Sequence, residues 1–212
     1  MIKVSARLSL AAAGLAALGM VGSAQAGPVA PVGPNTLVVT DATGDARGAQ
    51  ASTDITSVTF TTTGKTTTKK VKGKTVTTYV PDTLVASLAL AAAPSVVPVT
   101  SYEIDGDTAC GTLYMYYDPN NFGSGAQLAN CGPKTNTGDT FFLTETPVVT
   151  GSTITWSIPF SSLPKDVAAG TAVTAIHGYV TIAEPNTSQG PTAVTNQANI
   201  DDAVSDATYK IG

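Results

Sequence analysis

Three aspartates near the start of the chain form the strongest candidate site for chemistry. Asp41 and Asp45 lie four residues apart, with Gly44 allowing a sharp turn between them, and Asp54 opens the next predicted strand. Hard oxygen ligands from a tight loop suit Ca²⁺, although the spacing of an EF-hand is absent. The alternative is that these aspartates only form turns and cap backbone groups. Three aspartates near the C-terminus complete the predicted site if the chain ends meet: Asp202, with its neighbours Asp201 and Asp206.

Two tyrosines form a second candidate site. Tyr114 and Tyr116 alternate with Leu113, Met115 and Tyr117, so a strand would place the two sets on opposite faces. If the set containing Met115 faces the core, Tyr114 and Tyr116 stand outside and can stack on a sugar. The alternative is that they pack under a loop or against a second layer.

The only two cysteines, Cys110 and Cys131, are expected to form a disulfide in an exported chain. In the chain-entropy model, closing this loop stabilises the fold by about 3 kcal/mol. A two-cysteine metal site would need histidine ligands nearby, and the only histidine, His177, lies far along the chain.

Catalytic residues are hard to find in this sequence. A single histidine and the lack of a G-x-S-x-G motif argue against a serine hydrolase. Two carboxylates can run a glycosidase, but Glu103, Glu145 and Glu184 stand in no recognisable context. We therefore expect a non-catalytic binding or structural module. A carbohydrate-binding module is the alternative, and a carboxylate-based glycoside hydrolase comes third.

The strand expected to carry these sites on a stable core is Thr153 to Phe160. Ile154, Trp156, Ile158 and Phe160 occupy alternate positions and so share one face. We expect the segment 140–146 to pair with this strand by a hairpin that turns near residues 151–152, and one helical turn within 161–170. About nine short strands and no long helix after residue 26 predict an all-β, antiparallel, jelly-roll-like β-sandwich.

The segment from Thr61 to Val80 is low in complexity and rich in threonine and lysine. It predicts a protruding hairpin whose lysines prevent the edge from pairing with other chains. A contact surface for an acidic polymer is the alternative. The lysines are Lys65, Lys69, Lys70, Lys72 and Lys74.

The first residues predict export. Residues 1–26 combine two basic residues, an apolar run and an A-x-A site, which is typical of a secretory signal peptide. A Pro-rich linker at 27–35 and one domain at 36–212 follow. We expect a secreted, extracellular protein with no membrane span after cleavage. Losing Lys3 and Arg7 takes the formal charge from −4 to −6, which disfavours nucleic acid and anionic membranes as partners. A polysaccharide or a cell-surface component is the expected partner.

The chain carries, in order, D-x-x-G-D at 41–45, D-I at 54–55, T-I-T-W-S-I-P at 153–159, and D-D-A followed by Y-K-I-G within 201–212. This order resembles a group of secreted bacterial β-sandwich modules. These are similar in outline to family 9 carbohydrate-binding modules and DOMON-like domains. The resemblance covers roughly residues 37–212 and implies a jelly-roll-like sandwich with a surface or accessory role, with calcium and sugar binding in some relatives. The matching positions are Asp41, Gly44, Asp45, Asp54, Ile55, Trp156, Pro159, Asp202, Ala203 and Tyr209.

Overall fold

In the computed structural model of the chain the described residues begin at Asn35, so the predicted signal peptide and nearly all of the linker lie outside them. Asn35 itself is fixed to the domain, because its side-chain amide donates to the Lys210 carbonyl at 2.7 Å. The two ends of the domain are therefore adjacent at this point. The structure describes residues 35–47, 50–95, 100–120, 123–131, 140–143, 145–167, 170–185 and 194–211.

Two antiparallel sheets form the domain, which confirms the predicted all-β sandwich class. In chain order the strands are β1 (Thr36–Thr40), β2 (Ile55–Val71), β3 (Lys74–Leu90), β4 (Thr100–Asp107), β5 (Thr112–Tyr117), β6 (Gly125–Ala129), β7 (Phe141–Leu143), β8 (Val148–Thr150), β9 (Thr153–Pro159), β10 (Ala172–Pro185), β11 (Val194–Ser205) and β12 (Tyr209–Lys210). The five-stranded sheet has the order β1-β2-β3-β9-β8. The seven-stranded sheet has the order β11-β10-β4-β5-β6-β7, with β12 also paired to β10.

Strand β9 lies in the core as its alternation predicts. Ile154, Trp156 and Ile158 are all 0% exposed. The Trp156 indole N–H donates to the Tyr116 carbonyl at 3.3 Å, so this side chain spans the space between the sheets. Phe160 ends the alternation, because it begins a short 3-10 turn and is only partly buried.

A glycine allows the two sheets to approach closely beside this core. Gly178 in β10 faces Val58 of β2, and a Cβ at position 178 would lie 2.3 Å from a Val58 methyl carbon. Any larger side chain here would push the sheets apart. Gly178 is thus a packing requirement of the sandwich.

Helical structure among the described residues is limited to two 3-10 turns, Phe160–Ser162 and Lys165–Val167. The first turn overlaps the start of the segment 161–170, where one helical turn is expected, and the second turn lies within that segment. No helix in the described part of the chain is long and apolar enough to cross a membrane.

The predicted hairpin between 140–146 and β9 is wrong. Phe141–Leu143 instead pairs with β6 in the seven-stranded sheet, and the partner of β9 is the short strand β8. Pro147 lies between β7 and β8 and cannot donate to a ladder, so the apolar stretch is divided between two sheets. The predicted turn at Gly151–Ser152 is correct, with β8 supplying the other arm.

Strand β11 was not expected from the sequence. Its residues include Asn and Asp, which have low strand propensity. It pairs along most of β10, with a register shift opposite Val180 and Thr181, where Ile200 is the extra residue. At this β-bulge two successive residues, Ile200 and Asp201, are both buried.

The lysine-rich segment is continuous with the sandwich. β2 and β3 are each 17 residues long, but β1 covers β2 only to Thr61 and β9 covers β3 only from Thr83. Residues 64–81 therefore form a two-stranded extension, which we call the lysine ribbon. It ends in a two-residue turn at Lys72 and Gly73, both with positive φ, as a type I′ turn requires.

The disulfide between Cys110 and Cys131 is present, as predicted. Cys110 precedes β5 and Cys131 follows β6, so the bond closes the open end of the β5–β6 hairpin. Their Cα atoms are 4.8 Å apart.

Candidate functional site

The acidic cluster predicted from the sequence forms where the two ends of the domain meet. Asp41 and Asp45 come from the loop after β1, and Asp201 comes from the bulge in β11. One carboxylate oxygen from each of the three lies within 4.8 Å of the others. Three carboxylates at this separation are a ligand set that a hard divalent cation can bridge.

Asp54 is buried and fixes the loop that carries two residues of the cluster. Its side chain is 4% exposed, and its Oδ2 accepts the Gly44 N–H at 2.8 Å, inside the loop that carries Asp41 and Asp45. Its Oδ1 is buried without a hydrogen-bond partner, and so is the Oδ2 of Asp41. Buried carboxylate oxygens normally have partners, so these two atoms need an explanation.

The electrostatics of the cluster show that its carboxylates repel one another. The pKa of Asp201 is raised to about 6, chiefly by burial; the Ile55 N–H opposes the rise, and the charges of Asp41 and Asp45 contribute to it. Burial also raises the pKa of Asp41, where the Ala42 N–H opposes the shift and neighbouring aspartates add to it. A cation would relieve this repulsion.

Asp202 lies apart from the three grouped carboxylates. It follows Asp201 directly, is exposed, and faces outward opposite Tyr179 of β10. Asp206 is also exposed. Because Ile200 is an extra residue in the strand, Asp201 points inward and Asp202 points outward. The sequence pair Asp201-Asp202 signals a ligand here, but it does not show which residue points to the loop.

The second candidate site is the outer face of the seven-stranded sheet. Leu113 and Met115 are 0% exposed, so Tyr114 and Tyr116 are on the outer face, as the alternation predicts. Directly opposed residues in an antiparallel ladder share a face, and the register aligns two rows across the sheet. We call them together the tyrosine face: Asp202, Tyr179, Glu103, Tyr116 and Gly125 in one row, and Val204, His177, Asp105, Tyr114, Gln127 and Phe142 in the other.

Hydrogen bonds hold part of the tyrosine face in place. The Tyr179 hydroxyl donates to Glu103 Oε2 at 2.6 Å, and Ser101 donates to Oε1 at 2.7 Å. Burial raises the pKa of Tyr179, and the bond to Glu103 raises it further, so the phenol stays protonated. Sequence reasoning missed Tyr179. Its position between Gly178 and Val180 in a predicted strand was the available signal, because an apolar residue on each side predicts that Tyr179 points outward.

Asp105 and His177 form a pair in the second row. His177 Nδ1 lies 3.6 Å from Asp105 Oδ1. The pKa of Asp105 is raised to about 6, chiefly by burial; His177 opposes the rise, and the charges of Asp107, Glu103 and Asp202 contribute to it. At neutral pH the row therefore presents an ionised carboxylate beside Tyr114.

The second row of the tyrosine face ends in an apolar side chain on each side. Phe142 is 73% exposed at one end of the second row, and Val204 is 55% exposed at the other. Aromatic, apolar and carboxylate groups on one open surface are the mixture that recognises a ligand with both apolar and hydroxyl groups.

The glutamates considered for glycoside hydrolysis lie in different places. Glu103 is on the tyrosine face with both oxygens accepting hydrogen bonds. Glu145 accepts from Ser162 at 2.7 Å outside the strands, and the Glu184 side chain lies outside the described part of the structure.

Comparison of the chain with models of protein families, with curated proteins and with solved structures finds no match. The resemblance to family 9 carbohydrate-binding modules and DOMON-like domains stays a prediction.

Proposed function

We propose that this protein is a secreted, non-catalytic β-sandwich module that binds a polysaccharide on the tyrosine face. The observation that carries the proposal is the pair of cross-strand rows that put Tyr114, Tyr116 and Tyr179 on one surface with Glu103 and Asp105. The module acts at the cell surface or in the medium, where a disulfide persists.

The chemistry of the face favours a neutral sugar chain. Tyrosine rings offer apolar surface to the C–H groups of a pyranose, and their hydroxyls provide a polar end. Ionised carboxylates accept hydrogen bonds from sugar hydroxyls. Glu103, Asp105 and Asp202 give the face negative charge, which repels acidic polysaccharides.

A glycan screen tests this proposal. The mature protein is applied to arrays and insoluble fractions of neutral and acidic polysaccharides, alongside Tyr114→Ala and Tyr116→Ala. Thr155→Ala on the other sheet is the matched control. We expect binding to a neutral chain that each tyrosine variant weakens about tenfold or more, since each lost contact is worth about 1.4 kcal/mol or more, and that the control leaves unchanged. Binding that is insensitive to both tyrosines, or no binding to any chain, contradicts the proposal.

We also propose that the acidic cluster holds one Ca²⁺. The observation in favour is the pair of buried, unpartnered oxygens, Asp54 Oδ1 and Asp41 Oδ2, beside the grouped carboxylates of Asp41, Asp45 and Asp201. Backbone carbonyls and waters would supply the remaining ligands. The ion would have a structural role, because it would join the loop after β1 to strand β11.

A further inference from the structure

The lysine ribbon extends well beyond the rest of the five-stranded sheet. From Gly64 to Lys72 the strand advances about 3.3 Å per residue, which places the turn roughly 25 Å beyond the last covered residues. Residues 63–78 are all exposed. An isolated two-stranded ribbon gains little stability of its own in water, so its composition reflects something other than the core.

The two faces of the ribbon differ in composition. The register pairs Lys65 with Val80, Lys69 with Val76 and Val71 with Lys74, which places all six on one face. We call this the valine–lysine face. The opposite face carries Thr66, Thr68, Lys70, Thr75, Thr77 and Tyr79.

All three valines of the ribbon are on the same face and exposed. Val71 is 51%, Val76 is 44% and Val80 is 47% exposed. Tyr79, the large apolar residue of the other face, instead folds back and donates to the Thr62 carbonyl at 2.9 Å. The valine–lysine face also carries the opposed pair Thr67 and Thr78 between its valine–lysine pairs. It therefore combines three valines and three lysines with two threonines, whereas the other face has one lysine and is mainly hydroxylated.

Charge on the ribbon is opposite to that of the whole protein. Residues 64–81 contain five lysines and no aspartate or glutamate, while the chain carries a formal charge of −4. The net charge would repel an anionic surface. However, the Debye length is about 8 Å at physiological ionic strength, so the tip of a ribbon roughly 25 Å long is screened from the acidic body.

We propose that the valine–lysine face docks on the anionic surface of a lipid bilayer. The valines enter the interface between headgroups and acyl chains, and Lys65, Lys69 and Lys74 contact lipid phosphates. A soluble acidic polymer would attract the lysines equally but would leave three valines on that face unexplained. The proposal is independent of the tyrosine face and of the acidic cluster.

Vesicle cosedimentation of residues 27–212, the protein expected after signal cleavage, tests the inference. The probes are vesicles of phosphatidylcholine alone and of phosphatidylcholine with phosphatidylglycerol. We expect binding only to the anionic vesicles, falling as salt is raised. Equal binding to both kinds of vesicle, or binding to neither, overturns the proposal.

Two sets of variants separate membrane docking from simple charge attraction. Replacing Val71, Val76 and Val80 together by threonine keeps the β-branched shape, and we expect binding to fall roughly tenfold or more. Lys69→Gln should weaken binding about fivefold and its neighbour Lys70→Gln distinctly less, because the two lysines are on opposite faces. Unchanged vesicle binding by the valine variant, or equal effects of the two lysines, would show a purely electrostatic contact of the kind an acidic polysaccharide makes.

Discussion

The two sheets have similar inner faces and different outer faces. Inside, both contribute fully buried apolar residues, such as Leu88 and Ile154 from one sheet and Ile104 and Met115 from the other. Outside, the five-stranded sheet carries short hydroxyl side chains, and the seven-stranded sheet carries the tyrosine face. The comparison separates the residues that determine the fold from those that are free to bind.

The outer face of the five-stranded sheet, which we call the hydroxyl face, satisfies much of its own hydrogen bonding. Ser87 and Thr155 share a hydrogen bond of 3.1 Å across β3 and β9, and Thr36 and Thr61 share one of 2.7 Å across β1 and β2. Val38 and Val148 at the two edges of this face are 53% and 63% exposed, but the side chains between them are short and give a ligand little apolar area. Tyrosines on the other sheet offer much more, so we assign binding to that sheet.

The largest expected effect concerns the shared core. Trp156→Ala removes a fully buried side chain between the sheets, and we expect it to lower the free energy of unfolding by about 3–5 kcal/mol in urea titrations. Its neighbour Thr155→Ala, on the hydroxyl face, should cost less than about 1 kcal/mol. Similar losses of unfolding free energy in the two variants would contradict the assignment of stability to the inner face of the sheet.

The next effect concerns calcium and compares two adjacent residues of β11. Calcium at about a hundredfold excess over its Kd should stabilise the fold by about 2.7 kcal/mol, measured as a rise in melting temperature over chelator. Asp201→Asn should abolish most of this rise, since the residue faces Asp41 and Asp45, whereas Asp202→Asn should leave it nearly intact. Magnesium should substitute poorly.

Two results would contradict the calcium site. Equal melting temperatures in calcium and in chelator would mean that the aspartates only form turns. Equal loss of the calcium response in Asp201→Asn and Asp202→Asn would mean that the ion is attracted by surface charge and is not held by the inward-facing residue.

A smaller effect concerns pH. Asp105 and Asp201 both have a folded-state pKa near 6, above the ordinary value of 3.8. Between these values the folded state binds more protons than the unfolded state, so stability falls as pH rises through this window. In chelator, the melting temperature should therefore increase as pH is lowered from 7 toward 5. Asp105→Asn and Asp201→Asn should each flatten this rise, and an unchanged slope in both variants would contradict the assignment.

The sequence predicted those features that depend on alternation in single strands. The burial of Trp156 follows from a period of two, and the Cys110–Cys131 bond follows from there being one pair. The same period separates Tyr114 and Tyr116 from Met115, but the burial of Met115 is what places the two tyrosines outside. Features that depend on pairing between distant strands were not predictable in this way. β11 is held by β10 despite its polar residues, and its bulge selects Asp201 over Asp202.

The seven-stranded sheet shows the same limit for the ligand face. Tyr179, Glu103 and Tyr116 come from three strands that become neighbours only when the sheet order β10-β4-β5 is known. Each of these three strands contributes only two residues to the tyrosine face. The division of 140–150 between two sheets likewise depends on Pro147 and on which edges remain free, information that is not contained in the local pattern.

Amide chemical-shift mapping by NMR with a bound neutral oligosaccharide is the most direct test of the difference between the two outer faces. We predict that shifts concentrate in β4, β5 and β10, around Glu103, Tyr114, Tyr116 and Tyr179, and that the amides of Ser87 and Thr155 do not move. Shifts concentrated on the hydroxyl face, or spread evenly over both sheets, would contradict the assignment of binding to the tyrosine face.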